Sequence, residues 1–433
     1  MLDRRDFIKA MAAVSVSGAV GRAAPSERVR LGLIGAGPRG RNVMKGFLAF
    51  PDVEVPVVCD VIEPRMRTAV EEASKIEGAA VPDEVVDYRR VLDRKDLDGV
   101  VIATTEHWHG LPVMHAAQAG KAIFVEKPLG HTVAEGRAMV DAVKKHGVVA
   151  MMGTQQRGGS HYQRAIEAVQ SGRLGKVAQV RCWNYGSAGQ RAGRPADSAP
   201  PPGHHWDLWL GPAPSVPFNP ARLRHTWWFD YSGGMMTVWG VHHVDVILAA
   251  MGAEWPTSVV ASGGKLVVDD LADTPDTIEA TWTFPEFLMT YSYRGTNGFP
   301  VVESMAMRHG IAFYGTEATL VLHRRGYAVW TNISGVRDGE PTAHRVEDVP
   351  AVAGEQDRVW QRTFVDCLKE RRTPPVTLEA SHRATACCQL GNVAYHSGRR
   401  IHWDGAKEQI VGDEKASRML DRPRRTGYEL PSL

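Results

Sequence analysis

From Val29 onward, short runs of β-branched and apolar residues alternate with stretches whose apolar positions recur at helical spacing. Val29 to Ile34, Val53 to Cys59, Gly99 to Thr104, Lys121 to Val125 and Val148 to Met152 read as strands, with helices between them. One of those helices carries its own boundaries. Thr132-Val133-Ala134-Glu135 has the Thr-x-x-Glu form of a capping box, and the periodicity behind it runs to Lys145 and stops at Gly147. Strand, helix, strand repeated in this way demands right-handed crossovers and a parallel sheet. The pattern therefore predicts a doubly wound α/β domain over residues 25–157.

Beyond a helical stretch from His161 to Ser171 the texture changes. Lys176 to Tyr185, Ser258 to Val268, Thr277 to Thr283, Leu288 to Arg294 and Ile311 to Tyr314 are strands without a helix between each pair. This predicts a second α/β domain, residues 158–433, built on a large, mostly antiparallel open sheet. Glu355 to Glu370 and Leu378 to Tyr395 form a helical tail expected to return onto the core. Gly186 to Tyr231, rich in Pro, Gly, His and Trp, separates the first of these strands from the others, and loops of that length usually carry function. The chain shows no internal repeat and no heptad run.

Composition narrows the class. A length of 433 residues suits two or three domains, and 43% apolar with 23% charged residues excludes a disordered, collagen-like or multi-span membrane chain. Lysine and arginine (51) nearly balance aspartate and glutamate (49), so no long-range field recruits nucleic acid or anionic lipid. Five cysteines without a C-x-x-C pair encode neither a disulfide framework nor a zinc ribbon. Ahead of the first strand, Arg4-Arg5 precedes a mildly apolar run from Ala10 to Gly21 and small residues at Ala23 and Ala24. Residues 1–24 resemble a twin-arginine export signal, which carries proteins already folded to the periplasm or beyond. The run is too short and too rich in Gly, Ala and Ser to act as a membrane span.

Three motifs carry chemistry. The first strand runs into Gly35-Ala36-Gly37-Pro38-Arg39-Gly40, a turn that lets a pyrophosphate approach the N-terminus of the next helix. Asp60, 20 residues beyond Gly40 at the end of the next strand, would accept both ribose hydroxyls of NAD and repel a 2′-phosphate; Arg65 nearby keeps NADP as the less favoured option. Thr104-Thr105-Glu106-His107-Trp108-His109 and Glu126-Lys127-Pro128 follow two later strands, at the sheet edge where ligands bind in open α/β folds. A lysine there sits beside the nicotinamide and can stabilise an alkoxide, its pKa lowered by burial. In Gly233 through Asp245, His242 and Asp245 share a helix face, and a histidine can take and return a hydroxyl proton. The pairs His242 with His243, His107 with His109 and His204 with His205 lack a further ligand set, so no metal is expected.

Together these residues resemble the glucose-fructose oxidoreductase, inositol dehydrogenase and rhizopine-catabolism (Gfo/Idh/MocA) family, from Val29 almost to the end of the chain. The exported branch is especially similar, through Glu106-His107-Trp108-His109, Gly153-Thr154-Gln155-Gln156-Arg157, Trp206-Asp207-Leu208-Trp209-Leu210-Gly211-Pro212 and Trp239-Gly240-Val241-His242-His243. The resemblance implies an N-terminal Rossmann domain holding NAD, with Lys127 and His242 as the catalytic pair. The cofactor is expected at Gly35, Gly37, Arg39, Gly40, Asp60, Thr104, His109, Glu126 and Lys127, and the substrate at Arg157, Tyr162, Trp228, His243 and Asp245. One departure stands out: the family's usual Asp, four residues before the catalytic His, falls on Val238, which can neither orient an imidazole nor take a proton.

Seven of the twelve tryptophans fall between Trp183 and Trp255, and indole faces stack on pyranose C–H faces, so a sugar or polyol is the expected substrate. Export implies that NAD is retained and reset in place, because free NAD is scarce outside the cytoplasm. The expected activity is hydride transfer by an oxidoreductase acting on CH–OH groups. The alternatives are a redox-neutral, NAD-dependent glycosidase, whose known members usually lack Glu-Lys-Pro, and a non-catalytic cofactor-binding sensor. By analogy with the family, a homodimer or homotetramer forms through the open sheet.

Overall fold

The order of six parallel strands sets the first layer. The computed structural model describes residues 27–186, 191–299, 307–331, 336–337, 340–341 and 343–432; the expected export signal lies outside them. The first half runs β1 (Val29–Ile34), α1 (Pro38–Leu48), β2 (Val53–Cys59), α2 (Glu63–Ser74), β3 (Asp83–Val85), α3 (Tyr88–Leu92), β4 (Gly99–Ile102), α4 (Gly110–Gln118), β5 (Ala122–Val125), α5 (Val133–His146) and β6 (Ala150–Met152). The strands pair in parallel in the order β3-β2-β1-β4-β5-β6. Every residue of β2, β4 and β5 is buried, as a sheet covered by helices on both faces requires. The order in which strands are added switches sides of the sheet between β1 and β4, which opens a crevice at their carboxyl ends. Strand β3 escapes the sequence pattern because Asp83 and Glu84 are exposed and polar.

Helix α5 follows its signals closely. The Thr132 hydroxyl accepts from Glu135 N at 3.2 Å, Glu135 takes the N–H of His131 rather than that of Thr132, and Gly147 ends the helix in the left-handed region at φ +62°.

The second half contains α6 (Ser160–Gln170), β7 (Val177–Tyr185), α7 (Trp206–Leu210), α8 (Gly234–Val238), α9 (Gly240–Met251), β8 (Ser258–Gly264), β9 (Thr277–Thr283), β10 (Leu288–Arg294), β11 (His309–Gly315), β12 (Ala318–His323) and β13 (Gly326–Thr331). After a two-residue ribbon, β14 (Val336–Arg337) with β15 (Glu340–Pro341), come β16 (Arg345–Pro350), α10 (Glu355–Glu370), α11 (Leu378–Ser397), β17 (Ile401–Asp404), β18 (Gln409–Val411) and α12 (Glu414–Ser417). Ten strands form one sheet in the order β16-β13-β12-β11-β7-β10-β9-β8-β17-β18. Only β7 and β10 pair in parallel, so the sheet is mostly antiparallel. The sequence pattern omitted β12, β13, β16, β17 and β18. Strand β16 reads as a charged loop because it is an edge strand, Arg-Val-Glu-Asp, where charge discourages stray pairing.

The C-terminal helices bind the two sheets together. In α10, Trp360 Nε1 donates to the Met152 carbonyl at 2.8 Å, Gln361 Nε2 to that of Val43 at 3.0 Å, and Phe364 meets Phe47 and Phe124 edge-on. In α11, Thr385 Oγ1 accepts from Leu129 N, Gln389 Nε2 reaches Gly130 O, and the Cys387 carbonyl accepts from Trp282 of β9. Among the described residues, no helix is long and apolar enough to cross a membrane.

An ion cluster clamps α5 to α11. Arg137 donates to both Glu379 and Glu408, and Glu408 also takes His382 Nε2 at 3.0 Å. Burial pushes the Glu408 carboxyl up, but the bonds from His382 and Arg137 outweigh it and bring it from 4.5 down to about 2. A depressed carboxyl stabilises the fold above its unfolded pKa and loses that contribution as pH falls toward the folded one. In acid titrations followed by denaturant melts, Glu408→Gln should lose about 1–3 kcal/mol less stability than wild type between the two pKa values. An identical loss in the variant would show that this carboxylate is not part of the acid response.

Candidate active site

The glycine turn after β1 is shaped by close backbone approaches. Gly35 adopts φ +96°, and a Cβ there would lie 2.6 Å from the Ala103 backbone, so only glycine fits. A Cβ on Gly40 would collide with the Gly35 carbonyl oxygen, whereas nothing lies within 4 Å of one on Gly37. Helix α1 starts at Pro38 with no side-chain cap, leaving its positive end open to the space in front of Gly37. At the end of β2, Asp60 accepts from Ala36 N at 2.7 Å and Ile62 N at 2.8 Å. Burial raises its pKa, against the pull of Arg65 and those two amides.

A cavity of about 740 Å³ opens here, within the usual range for ligand sites. Its walls run from Asp87, Tyr88, Arg89 and His115, past Asp60, Arg65, Gly35 and Gly37, to Arg39, Thr104, Glu126, Lys127, Trp239 and His242. The Thr104 hydroxyl is buried in this wall with no hydrogen-bond partner among the described residues. An open glycine turn, a ribose-type acid and an orphaned hydroxyl on one cavity fit a dinucleotide.

At the other end the two halves of the chain meet. Lys127, on the loop after β5, donates from Nζ to the Val238 carbonyl at 2.9 Å. Burial lowers its pKa; Glu126 and Glu106 oppose that, while Arg39 and Arg324 add to it. His242, on the first turn of α9, is 4% exposed, and its Nδ1 lacks a partner among the described residues. Burial, then the nearby charges of Lys127 and Arg324, push its pKa well below 6.5, so the imidazole is neutral around pH 7. His225 lines the same end and is pushed down to about 3, by burial first and Lys127 second.

A further carboxylate lies at this end of the cavity. Glu106, at the carboxyl edge of β4, lines the cavity and feels the charge of Lys127. Its carboxylate accepts from Ser232 Oγ at 2.6 Å, Gly233 N at 3.1 Å and Thr237 Oγ1 at 3.0 Å. Burial still leaves its pKa raised, against those donors. The sequence held this glutamate in a quoted motif but offered nothing to aim it, because its three donors lie on the second half of the chain.

Other expected contacts fall elsewhere. His109 does not line the cavity; its ring bonds the carbonyls of Pro128 and Thr104 at 2.8 and 3.2 Å and braces the two loops that carry Lys127 and Glu106. Gly40 acts by packing against the turn. Arg157, Tyr162, Trp228, His243 and Asp245 all lie outside the lining. Asp245 points one turn down α9 to Arg157, 3.9 Å away; His243 turns toward His309; Tyr162 is 2% exposed beside His161. Trp228 donates to the Ala221 carbonyl under the Arg222 guanidinium. It belongs with Trp206, Trp209, Trp227 and Tyr231 to a satellite core of the 191–231 segment, which has little regular structure and packs on indoles instead. Of the tryptophans between Trp183 and Trp255, Trp209 and Trp239 face the cavity.

Periodicity gave no sign of the C-terminal strap. Arg422 and Arg424 bond Glu135, Arg425 bonds Asp207 and the Gly211 carbonyl, and Tyr428 meets Trp108 edge-on at 5.6 Å. Gly427, Tyr428 and Glu429 thereby line the cavity at its Asp87–Arg89 end.

Comparison with known proteins now bears on both halves. A family described as "Oxidoreductase family, NAD-binding Rossmann fold" matches residues 29–154, and its "C-terminal alpha/beta domain" matches 169–286 and 343–430. The chain is 31% identical over 162 residues to an alpha-N-acetylgalactosaminidase of Shewanella oneidensis, covering 36% of this chain and 35% of that protein. It is also 31% identical over 160 residues to a levoglucosan dehydrogenase of Pseudarthrobacter phenanthrenivorans, 36% and 40% of the two chains. The chain thus spans about a third of the length of the first curated relatives it matches. In fold, it superimposes on GenD2 from gentamicin A biosynthesis, crystallised with NAD, with a TM-score of 0.65 at 18% identity over 89% of this chain and 100% of that one. Since the strap closes one end of the cavity, Tyr428→Ala should speed NAD release about 3- to 10-fold in stopped-flow displacement, the scale of one aromatic contact; an unchanged rate would remove the strap from cofactor retention. With both of its halves matched, the chain belongs to the Gfo/Idh/MocA oxidoreductase family and binds NAD through its Rossmann domain.

Proposed function

We propose that the protein oxidises a hydroxyl group of a sugar, polyol or sugar derivative, with NAD as a tightly held hydride acceptor. The observation that carries this reading is the convergence of Lys127 and His242 on one end of the dinucleotide-sized cavity. Bound NAD would supply the hydride acceptor. Lys127 holds a proton on Nζ, where it would steady the negative charge that grows on the alcohol oxygen. The lone pair of the neutral His242 ring would receive the hydroxyl proton and return it when the reaction runs backward. Glu106 supplies the carboxylate that Val238 lacks. It acts through Lys127, by holding its charge against the neighbouring arginines.

Sugar-acting relatives favour a carbohydrate. The similarity to an alpha-N-acetylgalactosaminidase also keeps a second reading in play, in which one sugar is oxidised, loses its aglycone and is reduced again. The same proposal takes residues 1–24 as a twin-arginine export signal and the cofactor as cargo of the folded protein. It also takes the open face of the ten-stranded sheet as the surface of a homodimer or homotetramer.

Heat-denatured protein should release close to one NAD per chain. Mixing the native protein with sugars and aryl glycosides then separates the readings by absorbance. Reduction of bound cofactor supports the dehydrogenase, and aglycone release without net reduction supports the glycosidase. Silence in both, with Lys127→Ala and His242→Ala binding ligand like wild type, would leave a sensor. For a dehydrogenase, either substitution should lower single-turnover reduction by at least ~100-fold.

Glu106→Gln removes a negative charge from beside Lys127, so the lysine should lose its proton at lower pH. The alkaline limb of the rate profile should shift down by about one pH unit. An unmoved limb would assign Glu106 to holding residues 232–237 alone.

A further inference from the structure

The charges at the reactive end do not cancel in pairs. Arg39 bonds Glu126 at 2.8 Å and Asp357 at 3.0 Å. Glu106 is fully engaged by Ser232, Gly233 and Thr237, and Lys127 rests on the Val238 carbonyl. Arg324 stands apart: it lines the same cavity, has no ion pair among the described residues, and its Nε is buried without a hydrogen-bond partner. It occupies the turn between β12 and β13, whose hairpin is closed by the His323–Gly326 pair, while the next residue, Arg325, is exposed. The guanidinium carbon lies 4.6 Å from the Trp239 ring centroid, so the indole face supports its plane. A guanidinium keeps its charge at any ordinary pH. Held on an aromatic shelf beside His242, with its donors unspent, it awaits an anion of planar, two-oxygen geometry.

We propose that Arg324 anchors an anion subsite beside Lys127 and His242, and that the preferred substrate is a sugar bearing a carboxylate, a hexuronate or aldonate. This rests on the sugar-oxidising reading above. The other anion within reach is the diphosphate of the dinucleotide, whose seat at the glycine turn adjoins Arg39. The test separates the two sources.

NAD-loaded protein is titrated calorimetrically with glucuronate and galacturonate, and with glucose and galactose, alongside Arg324→Gln and Arg324→Lys. Wild type should bind the acids roughly 10- to 100-fold tighter than the neutral sugars, the range of a charge-assisted hydrogen-bond pair. That ratio should collapse toward one in Arg324→Gln and be partly kept in Arg324→Lys, which retains the charge but not the fork. In wild type, without any substitution, added salt should erode the ratio. Equal binding of acids and neutral sugars by wild type overturns the proposal. So does an Arg324→Gln variant that loses NAD affinity while its acid-to-neutral ratio stays at the wild-type value, because the guanidinium then serves the cofactor's diphosphate. If acids bind preferentially through Arg324 but no sugar is oxidised, the subsite stands and the dehydrogenase reading falls.

Discussion

The hydrogen bond from the Lys127 ammonium to the Val238 carbonyl spans the two halves of the molecule. Lys127 lies on the loop that follows β5 of the parallel sheet, and Val238 ends the short helix that leads into α9. Closing that bond brings the lysine and His242 into one cavity wall and fixes the charge field that both experience. A buried ammonium needs such a partner, since an unpaired one would shed its proton or unfold its surroundings. The position of α8 is in turn secured by Glu106, whose carboxylate takes donors from Ser232, Gly233 and Thr237. The two sheets are thus tied at the site by polar groups, each meeting its partner across the cleft.

Away from the site, the tie is apolar. Helices α10 and α11 are late in the chain yet pack against its beginning: Phe364 lies against Phe47 and Phe124, and Thr385 takes an amide from the loop that follows Lys127. A single hydrophobic cluster runs from Ile34 of β1 to Ile401 of β17. The cleft is therefore a seam within one packed body, and its lining residues are held from both sides. The ion cluster around Arg137, Glu379, Glu408 and His382 adds a polar lock between α5 and α11.

Burial also explains the titration pattern of the site. His242, His225 and Lys127 all have lowered pKa values, for the same leading reason: each loses water on entering the cleft. The charges of Lys127 and Arg324, then of His243 and Arg39, deepen the effect on His242. Glu106 moves in the opposite sense, raised by the same desolvation. Three basic groups and one carboxylate pushed toward neutrality in one cavity lie closer to proton exchange than they would in water.

Local signals told most about the first domain. A strand–turn–helix with three glycines, an acid at the next strand's end, a capping box and its glycine stop are each written within a few residues, and the parallel order follows from their alternation. The edge strands β16 and β18 were hidden because one is charged and the other only three residues long, β17 because four residues are too few to show a pattern, and the strap because it has no periodicity at all. The amino-acid order also singled out Lys127, His242 and the odd valine at 238. It could not say that Glu106 is held by Ser232, Gly233 and Thr237, that His109 is a brace, that Arg157, Tyr162, Trp228, His243 and Asp245 lie outside the cavity lining, or that Arg324 lies in it. Where each of these side chains ends up depends on tertiary packing, most plainly for Glu106 and Thr237, which are 131 positions apart and meet only because the two halves of the chain pack against each other.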